Sequence, residues 1–304
     1  MTSTSTTLLQ PAGSLAGLSR RVLAVHRIPG FYSAALGGTV TLLFVLAAVF
    51  APLLAPGSPS ATDLTHRLLP PAWVSGGSMQ HLLGTDPLGR DVLSRLLYGS
   101  RISLLVGLAA VVGAGLLGVA VGVVSGYRGG WVDYGVQRVV EVFQSYPFIL
   151  LGITVMAFLG QSVRNIIIVL ILTRWVQFCR VARAEVLKVK SGEFIVAAAT
   201  MGSSNRRTVL RHVLPNVAAP VIVVATFSLA FAILGEASLS FLGVGVPPNI
   251  PTWGTMLSGG QQYMFSDAWL TILPGFLLFV LVLAVNIMGD GLRDMNDPKM
   301  RGIR

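Results

Sequence analysis

The 304-residue sequence has little charge and a single cysteine. Charged residues make up 11% of the chain, whereas a soluble globular protein contains roughly 25%. Hydrophobic residues reach 53% and the mean hydropathy is +0.74. This composition excludes an ordinary soluble domain and predicts an integral membrane protein. The lone Cys179 excludes an internal disulfide and a cysteine metal cluster, and we interpret it as inert.

Sequence patterns for catalysis, metal binding and nucleotide binding are also missing. The four histidines fall in separate segments without ligand spacing, at His26, His66, His81 and His212. No segment gathers a nucleophile, a base and an orienting acid. No G-x-x-x-x-G-K-[ST] sequence is available to hold nucleotide phosphates. An intramembrane enzyme is therefore a distant alternative. A secondary transporter is also a distant alternative. Such a protein ordinarily shows inverted repeats or matched broken helices, and neither is visible in this sequence.

The net charge of +10 raises the question of a nucleic-acid partner. A nucleic-acid-binding protein concentrates such charge on a folded polar domain, and this sequence has no segment of that kind. The charge instead favours contact with anionic lipid or with an acidic protein.

Long apolar runs predict an all-α membrane protein with six transmembrane helices. A span needs about 20 largely apolar residues, and the candidates are 32–54, 103–125, 144–160, 164–179, 217–242 and 269–288. The third and fourth are separated by only a tight turn, and Arg174 interrupts the fourth. The first run could be a signal peptide, but its length favours a retained anchor.

The distribution of lysine and arginine predicts the orientation. If the N terminus is cytoplasmic, segments on that side hold 17 of these residues and segments on the opposite side hold five. Both termini are then cytoplasmic. The predicted organisation is a cytoplasmic segment over 1–30, an anchor and outer loop over 31–102, a five-helix core over 103–289 and a cytoplasmic tail over 290–304. The core includes a cytoplasmic loop over 180–216.

Residues 193–216, EFIVAAATMGSSNRRTVLRHVLPN, form a polar and basic stretch between apolar runs. An alanine run favours a helix, Gly202 breaks it, and Ser203 or Ser204 can cap a second helix. Pro215 is predicted to end that helix. The second helix has a basic side made by Arg206, Arg207 and Arg211. Its apolar side is made by Val209, Leu210 and Val213. This pattern suits a helix in a partner's groove, although a solvated loop is an equal alternative.

The same stretch resembles the EAA loop of ABC-importer membrane subunits. The matching positions are Ala197, Ala198, Gly202, Leu214 and Pro215, whereas Val196 and His212 replace the usual glutamate and isoleucine. Five further segments strengthen the resemblance: GTDPLGRDVLSRLLYGSRISL, GWVDYGVQRVVEVFQSYPFILL, WVQFCRVARAEVL, EASLSFLGVGVPPNIPTWGTML and GDGLRDMNDP. Together they are similar to the C-type permease subunit of dipeptide and oligopeptide ABC importers, from about residue 30 to the C terminus.

The resemblance implies the six-helix fold of a type I ABC importer permease in the bacterial plasma membrane. It also implies a non-catalytic subunit that works with a second homologous permease, two cytoplasmic ATPases and an extracytoplasmic substrate-binding protein. ATP and magnesium would bind the ATPases, and this chain would hold no cofactor. Peptides are the implied substrates, and relatives on the same scaffold carry nickel chelates, glutathione or antimicrobial peptides.

The implied ATPase contact uses the coupling helix over 203–212 and its surroundings. The predicted coupling residues are Ala197, Ala198, Gly202, Ser203, Ser204, Asn205, Arg206, Arg207, Val209, Leu210, Arg211, His212, Leu214 and Pro215.

Small residues on the second apolar run predict close helix packing. They recur at every fourth position, at Ala110, Ala114, Gly118, Gly122 and Gly126, and so share one helix face.

Residues 84–101 predict a separate amphipathic helix at the outer surface, with Asp86 as its cap and an Asp91–Arg95 pair. This helix could contact the substrate-binding protein or serve as a structural lid.

Glu236 lies in an apolar run, where an unpaired charge costs about 2.5–3.5 kcal/mol on insertion scales. It either lines the substrate path or stabilises a gate, or it is a paired structural ion near the outer end of the span. Glu141, Gln144 and Asn286 are further pore-facing candidates.

Overall fold

The computed structural model describes residues 30–192 and 204–296, which are largely helical. The α-helices are, in chain order, α1 (Phe31–Val49), α2 (Ala51–Leu54), α3 (Val92–Arg128), α4 (Gly130–Ser145), α5 (Phe148–Leu159), α6 (Val163–Lys190), α7 (Asn205–Thr208), α8 (Leu214–Phe241), α9 (Trp253–Gly260) and α10 (Trp269–Asn296). Short 3₁₀ turns occupy Leu64–His66 and Gln261–Tyr263, and a π turn occupies Val209–Val213.

Within the described ranges, five helical bodies are long and apolar enough to cross a membrane. These are α1, α3, α6, the continuous body from α7 to α8, and α10. The pair α4 and α5 makes a sixth if it is counted as one broken span, with an 89° bend between its halves. The predicted all-α bundle therefore agrees with the structure, although the third span, predicted over 144–160, corresponds to the bent pair α4 and α5.

Helices α3 and α6 pack closely along a face of small residues. Ala110 and Ala114 of α3 are fully buried. One turn apart, Gly118 and Gly122 face the α6 backbone so closely that a Cβ atom on either would overlap a carbonyl oxygen of α6. Gly126 continues this face at the end of α3. The small-residue face thus lies against α6, where it lets the two backbones approach.

Helices α1 and α10 also approach through small residues. A Cβ atom on Gly37 would overlap the Ala284 carbonyl oxygen, and one on Gly291 would overlap the Ala34 amide nitrogen. On its other side, α10 packs on α8, and the fully buried Leu281 and Val285 join a core cluster shared by those helices. The first span is therefore fixed to the last one.

The separate outer helix predicted over 84–101 does not form. Residues 84–91 are a loop, and the helix begins at Val92 as the first turn of the 37-residue α3. Gly89, with φ +71°, lets this loop pass against the backbone of Asp63, where a Cβ atom would overlap the Asp63 carbonyl. The apolar residues after Asp91 pack inside the bundle. They therefore do not form an apolar helix face that lies on the membrane surface.

The predicted cap and ion pair at this helix start are also wrong. Asp91, not Asp86, caps α3, because its carboxylate accepts the Ser94 N–H at 2.7 Å. The Asp86 carboxylate instead accepts a hydrogen bond from Arg90 Nε at 2.6 Å, which holds the loop together. Arg95 lies 3.5 Å from Asp86 rather than pairing with Asp91.

The loop between α2 and α3 is held by polar contacts of its own and by α9. Hydrogen bonds from Thr65 and then His66 lower the pKa of the exposed Asp63 to about 2. His81 Nδ1 lies 3.0 Å from the Asp91 carboxylate. At the end of this loop, Trp253 of α9 is fully buried and donates to the Leu96 carbonyl at 3.1 Å. These contacts place the loop and α9 at the same end of the bundle as the start of α3.

A pair of alanine substitutions tests the packing of α3 on α6. Gly118→Ala places a methyl group against the α6 backbone, which must move, and we expect this to cost about 1–3 kcal/mol of unfolding free energy. Gly115→Ala is the matched control, because its Cβ would lie 3.6 Å from Phe178 in ordinary contact. Unfolding of the purified protein in detergent measures both. Equal stability of the two variants would contradict the packing described here.

Candidate functional site

The described part of the predicted coupling segment begins at Ser204 and runs directly into a span. The Ser204 hydroxyl accepts the Arg207 N–H at 3.4 Å and caps α7. The π turn follows, and α8 begins at Leu214 without a break in the helical path. Ala197, Ala198, Gly202 and Ser203 lie outside the described residues.

Pro215 does not end the helix, contrary to the sequence-based prediction. It occupies the first turn of α8 directly after the π turn. A proline cannot donate a backbone hydrogen bond and clashes with the carbonyl four residues earlier in a regular α-helix. The wider π turn changes the hydrogen-bond register at that point, which allows the chain to continue. The coupling segment and α8 consequently form one helical body over 205–241.

Polar contacts tie the coupling segment to the adjoining ends of α3 and α6. The Tyr127 hydroxyl of α3 donates to Asn205 Oδ1 at 3.0 Å. Lys190 of α6 donates to the Tyr127 carbonyl at 2.8 Å and lies over the Tyr127 ring, 5.6 Å from its centroid. Tyr127 therefore links the last turn of α6 to the first turn of α7.

An apolar cluster lies beneath these polar contacts. Val213 and Val217 are buried with Val123 of α3 and with Val186 and Val189 of α6. This cluster fixes the π turn and the start of α8 against the ends of two other helices. A displacement of the coupling segment is expected to carry the ends of α3 and α6 with it, because packed interiors resist deformation.

The outer side of the coupling segment is basic and exposed. Arg206, Arg207 and Arg211 are all exposed, and no salt bridge to them is found within residues 30–192 and 204–296. Leu210 is 53% exposed rather than packed with Val213, since the π turn rotates it away from the buried side. Three cations and one leucine thus face outward and form an exposed, mainly basic surface.

A carboxylate–guanidinium pair closes the same end of the bundle. Asp133 of α4 accepts two hydrogen bonds from Arg183 of α6, each 2.6 Å long. The Ser125 hydroxyl of α3 donates to the same carboxylate. The pair is bidentate and half-buried, a geometry that makes such bonds strong and directional. Asp133 thus joins α3, α4 and α6 close to the coupling segment.

Glu236 of α8 is fully buried within the bundle. Its carboxylate accepts hydrogen bonds from Ser103 of α3 at 3.0 Å and from Ser240 of its own helix at 2.8 Å. Ser240 also accepts the Val246 N–H at 3.1 Å. In this conformation an enclosed carboxylate cannot touch a passing solute, so the geometry favours the structural alternative.

The other pore-facing candidates have different surroundings. Glu141 is exposed and pairs with Arg138 at 2.7 Å. Gln144 Oε1 accepts a hydrogen bond from Arg180 at 3.4 Å. Asn286 is half-buried and donates to the Val282 carbonyl of its own helix at 2.9 Å. These three side chains do not meet Glu236 in one site.

A half-buried cation, Arg174, was not among the sequence-predicted site residues. Arg174 was counted among the cytoplasmic lysines and arginines although it falls inside the predicted fourth span over 164–179, and the structure holds it within α6, which continues to Lys190. It lines a cavity of about 150 Å³ together with Gln144, Thr173 and Gln177. Its interruption of an apolar run was the signal that could have marked it.

The chain matches two family models and several known proteins over most of its length. Residues 118–302 match the family model described as binding-protein-dependent transport system inner membrane component, and residues 32–71 match the N-terminal TM domain of oligopeptide transport permease C. The chain is 41% identical over 268 residues to the dipeptide transport system permease protein DppC of Alkalihalophilus pseudofirmus, covering 88% of this chain and 86% of that protein.

Two further similarities extend along the chain. The oligopeptide transport system permease protein OppC of Bacillus subtilis is 35% identical, with 97% of each chain covered. A solved structure of inward-facing conformations of the MetNI methionine ABC transporter matches with a TM-score of 0.54 and 21% identity, covering 66% of this chain and 96% of that chain. At that identity the structural match supports the fold alone.

A double-mutant cycle tests whether Asp133 and Arg183 hold the helices together. We expect Asp133→Ala and Arg183→Ala to be non-additive by about 1–3 kcal/mol of unfolding free energy, because either change alone removes the whole contact. The exposed pair Arg138 and Glu141 is the control, and its coupling should not exceed about 0.5 kcal/mol. Additive effects at Asp133 and Arg183 would show that the pair does not join these helices.

Glu236 offers a second test in the same bundle. Glu236→Gln keeps an oxygen acceptor for the serine hydroxyls, so we expect it to retain most transport, whereas Glu236→Leu leaves both hydroxyls without that acceptor and should destabilise the protein by about 1–3 kcal/mol. Transport by cells and unfolding in detergent give the two readouts. A large loss of transport by a stable Glu236→Gln protein would instead assign this carboxylate to the substrate path.

Proposed function

The chain belongs to the family of binding-protein-dependent transport system inner membrane components, and from this premise we propose that it is a peptide-translocating permease subunit of an ATP-driven importer. The single observation that carries the energy-coupling part of this proposal is the continuous helical body over 205–241. It starts with an exposed basic surface and ends beyond Glu236, so one rigid element spans the bundle.

The proposed energy source is a pair of ATPase subunits at the exposed end of this helical body. The sequence has no phosphate-binding loop, so hydrolysis occurs on a partner. Arg206, Arg207 and Arg211 fit an acidic groove on one of these ATPases, and Leu210 adds an apolar contact. Closure of the ATPases then displaces α7 together with the ends of α3 and α6, which biases the bundle between outward and inward openings.

The proposed companion in the membrane is a second homologous permease. The faces of α4 and α5 carry large exposed apolar side chains, including Trp131, which is 88% exposed, and Phe158, which is 86% exposed. One subunit with five or six spans offers a path only along its surface, whereas two subunits can enclose one. An extracytoplasmic binding protein, as the family description indicates, delivers the substrate.

The proposed orientation has both ends of the chain in the cytoplasm of a bacterial cell. Placing Arg174 inside the membrane changes the counts to 16 lysines and arginines on the cytoplasmic side and five on the other. The bias remains large. The coupling segment then faces the compartment that contains ATP.

Peptides are the proposed substrate class because the relatives described above are dipeptide and oligopeptide transport permeases. Nickel chelates, glutathione and antimicrobial peptides remain alternative substrates of the same scaffold. The test is ATP-dependent uptake of labelled peptides by the assembled importer, with labelled nickel and glutathione supplied in parallel.

Charge reversal on the coupling segment tests the proposed ATPase contact. We expect Arg206→Glu with Arg207→Glu to lower ATP-dependent uptake at least about tenfold, because like charges then meet across the interface. Membrane insertion, measured by protein abundance in the membrane fraction, should not change.

The matched control is Arg293→Glu, an exposed arginine in the last turn of α10. It reverses charge at the same end of the bundle without touching α7, and uptake should stay near the wild-type rate. Wild-type uptake by the double variant would contradict the proposed contact.

A further inference from the structure

We propose that Arg174 forms a binding site, within the membrane, for the carboxylate of a peptide in transit. This inference rests on the proposed function and adds to it a chemical group that the chain itself recognises. It follows from the depth of Arg174, from the lack of a counter-charge and from the cavity beside it.

The depth of Arg174 separates it from lipid headgroups. It lies 11 residues after Val163, the first residue of α6, which at 1.5 Å per residue is about 16 Å along the helix. The hydrocarbon core is about 30 Å thick. With the core beginning at the first turn of α6, Arg174 lies near the middle of the core, where a lipid phosphate does not normally reach and a translocating solute must pass.

The contacts of the guanidinium leave most of its hydrogen-bonding capacity unused. Nη2 donates to the Ser228 hydroxyl of α8 at a long 3.4 Å. Nε is buried, and no hydrogen-bond acceptor for it is found among the described residues. Across residues 30–192 and 204–296, no carboxylate forms a salt bridge with Arg174.

One face of the guanidinium is covered by an aromatic ring. Cζ of Arg174 lies 4.1 Å from the centroid of the Phe231 ring, and Phe148 packs edge-on against that ring at 5.3 Å. Such stacking fixes the plane of the guanidinium. Stacking does not neutralise the charge, so the edge that carries the free donors stays available for an anion.

The cavity of about 150 Å³ beside Arg174 has mixed walls. Gln144, Thr173 and Gln177 supply polar groups, Tyr146 lies at the bend between α4 and α5, and phenylalanine and valine side chains form the remainder. The bend therefore opens a partly polar space at membrane depth, against a helix that carries a cation. Polar and charged side chains at this depth usually face a bundle interior or a water-filled path rather than lipid.

A carboxylate fits this site better than other groups of a peptide. The planar fork of arginine matches the two oxygens of a carboxylate. Every linear peptide with a free C terminus carries one, whatever its side chains, so a single arginine can serve substrates of varied sequence. Arg180, six residues further along α6, contacts the same Gln144 and offers the next cation towards the coupling end, which allows the anion to leave.

The test uses the complete purified importer in lipid nanodiscs without its binding protein. Glycyl-phenylalanine and glycyl-phenylalanine amide, each at about 10 mM, are the probes, and the thermal unfolding midpoint is the readout. We expect the free acid to raise the midpoint of the wild-type complex by roughly 2 °C or more and the amide to leave it unchanged. Arg174→Gln should abolish the shift, and Arg174→Lys should keep part of it.

Arg164→Gln is the matched control, because it removes a positive charge from the exposed start of the same helix. It should keep the wild-type shift. Equal shifts with acid and amide, no shift in the wild-type complex, or a shift that survives in Arg174→Gln would overturn the proposal. Dissociation of the Arg174→Gln complex would also overturn it, by showing that Arg174 pairs with a carboxylate of another subunit.

Uptake in cells keeps this inference separate from the proposed function. If the wild-type importer takes up no peptide, the proposed substrate class fails. If it takes up peptide while the acid-specific shift is missing, the Arg174 site alone fails. If the substrate class and the Arg174 site are both correct, Arg174→Gln should lower the maximal rate of peptide uptake about tenfold or more, as loss of a charged hydrogen-bond partner predicts. Arg164→Gln should not lower this rate.

Discussion

The close approach of α3 and α6 is the constraint on which the other features depend. It exists because alanine and glycine occupy every fourth position on one face of α3, so two backbones come into contact where side chains would keep them apart. Their adjoining ends then form a platform. Tyr127, Lys190 and a cluster of valines attach the coupling segment to it, and the Asp133–Arg183 pair adds α4.

This platform explains how a subunit that lacks a phosphate-binding loop can use the energy of a partner. A force applied to the exposed arginines of α7 acts on a helical body that runs without a break to Phe241. Because the start of that body is packed against α3 and α6, three spans respond together. The bundle would have two arrangements, one open outward and one open inward. Transport by alternating access then requires only that the ATPases favour one of these arrangements. The bent span α4–α5 lies beside α6, and Arg174 of α6 lines the cavity at the bend, where such a rearrangement would alter the space open to a solute.

The sequence predicts the parts of this structure that rest on composition and periodicity. Apolar runs mark the spans, and the four-residue repeat from Ala110 marks the face of α3 that meets α6. Features set by tertiary context were not predictable in this way. Asp86 and Asp91 are both plausible caps, and only the course of the loop assigns the cap to Asp91. Pro215 was predicted to end the helix because the π turn that accommodates it leaves no pattern in the sequence. Arg174 was treated as an interruption of the fourth span and counted as cytoplasmic because an arginine within a span is rare.

The central claim is that the coupling segment and the ends of α3 and α6 move as one body. The most direct measurement is the distance between spin labels on Asn216, at the end of the coupling segment and outside the proposed ATPase contact, and Lys188, after replacement of Cys179 by serine, in the assembled importer with and without bound ATP. The account predicts that this distance stays constant while the distance from Asn216 to a label at the start of α5 changes. A change between Asn216 and Lys188 on ATP binding would contradict it, because the segment would then move independently of the bundle.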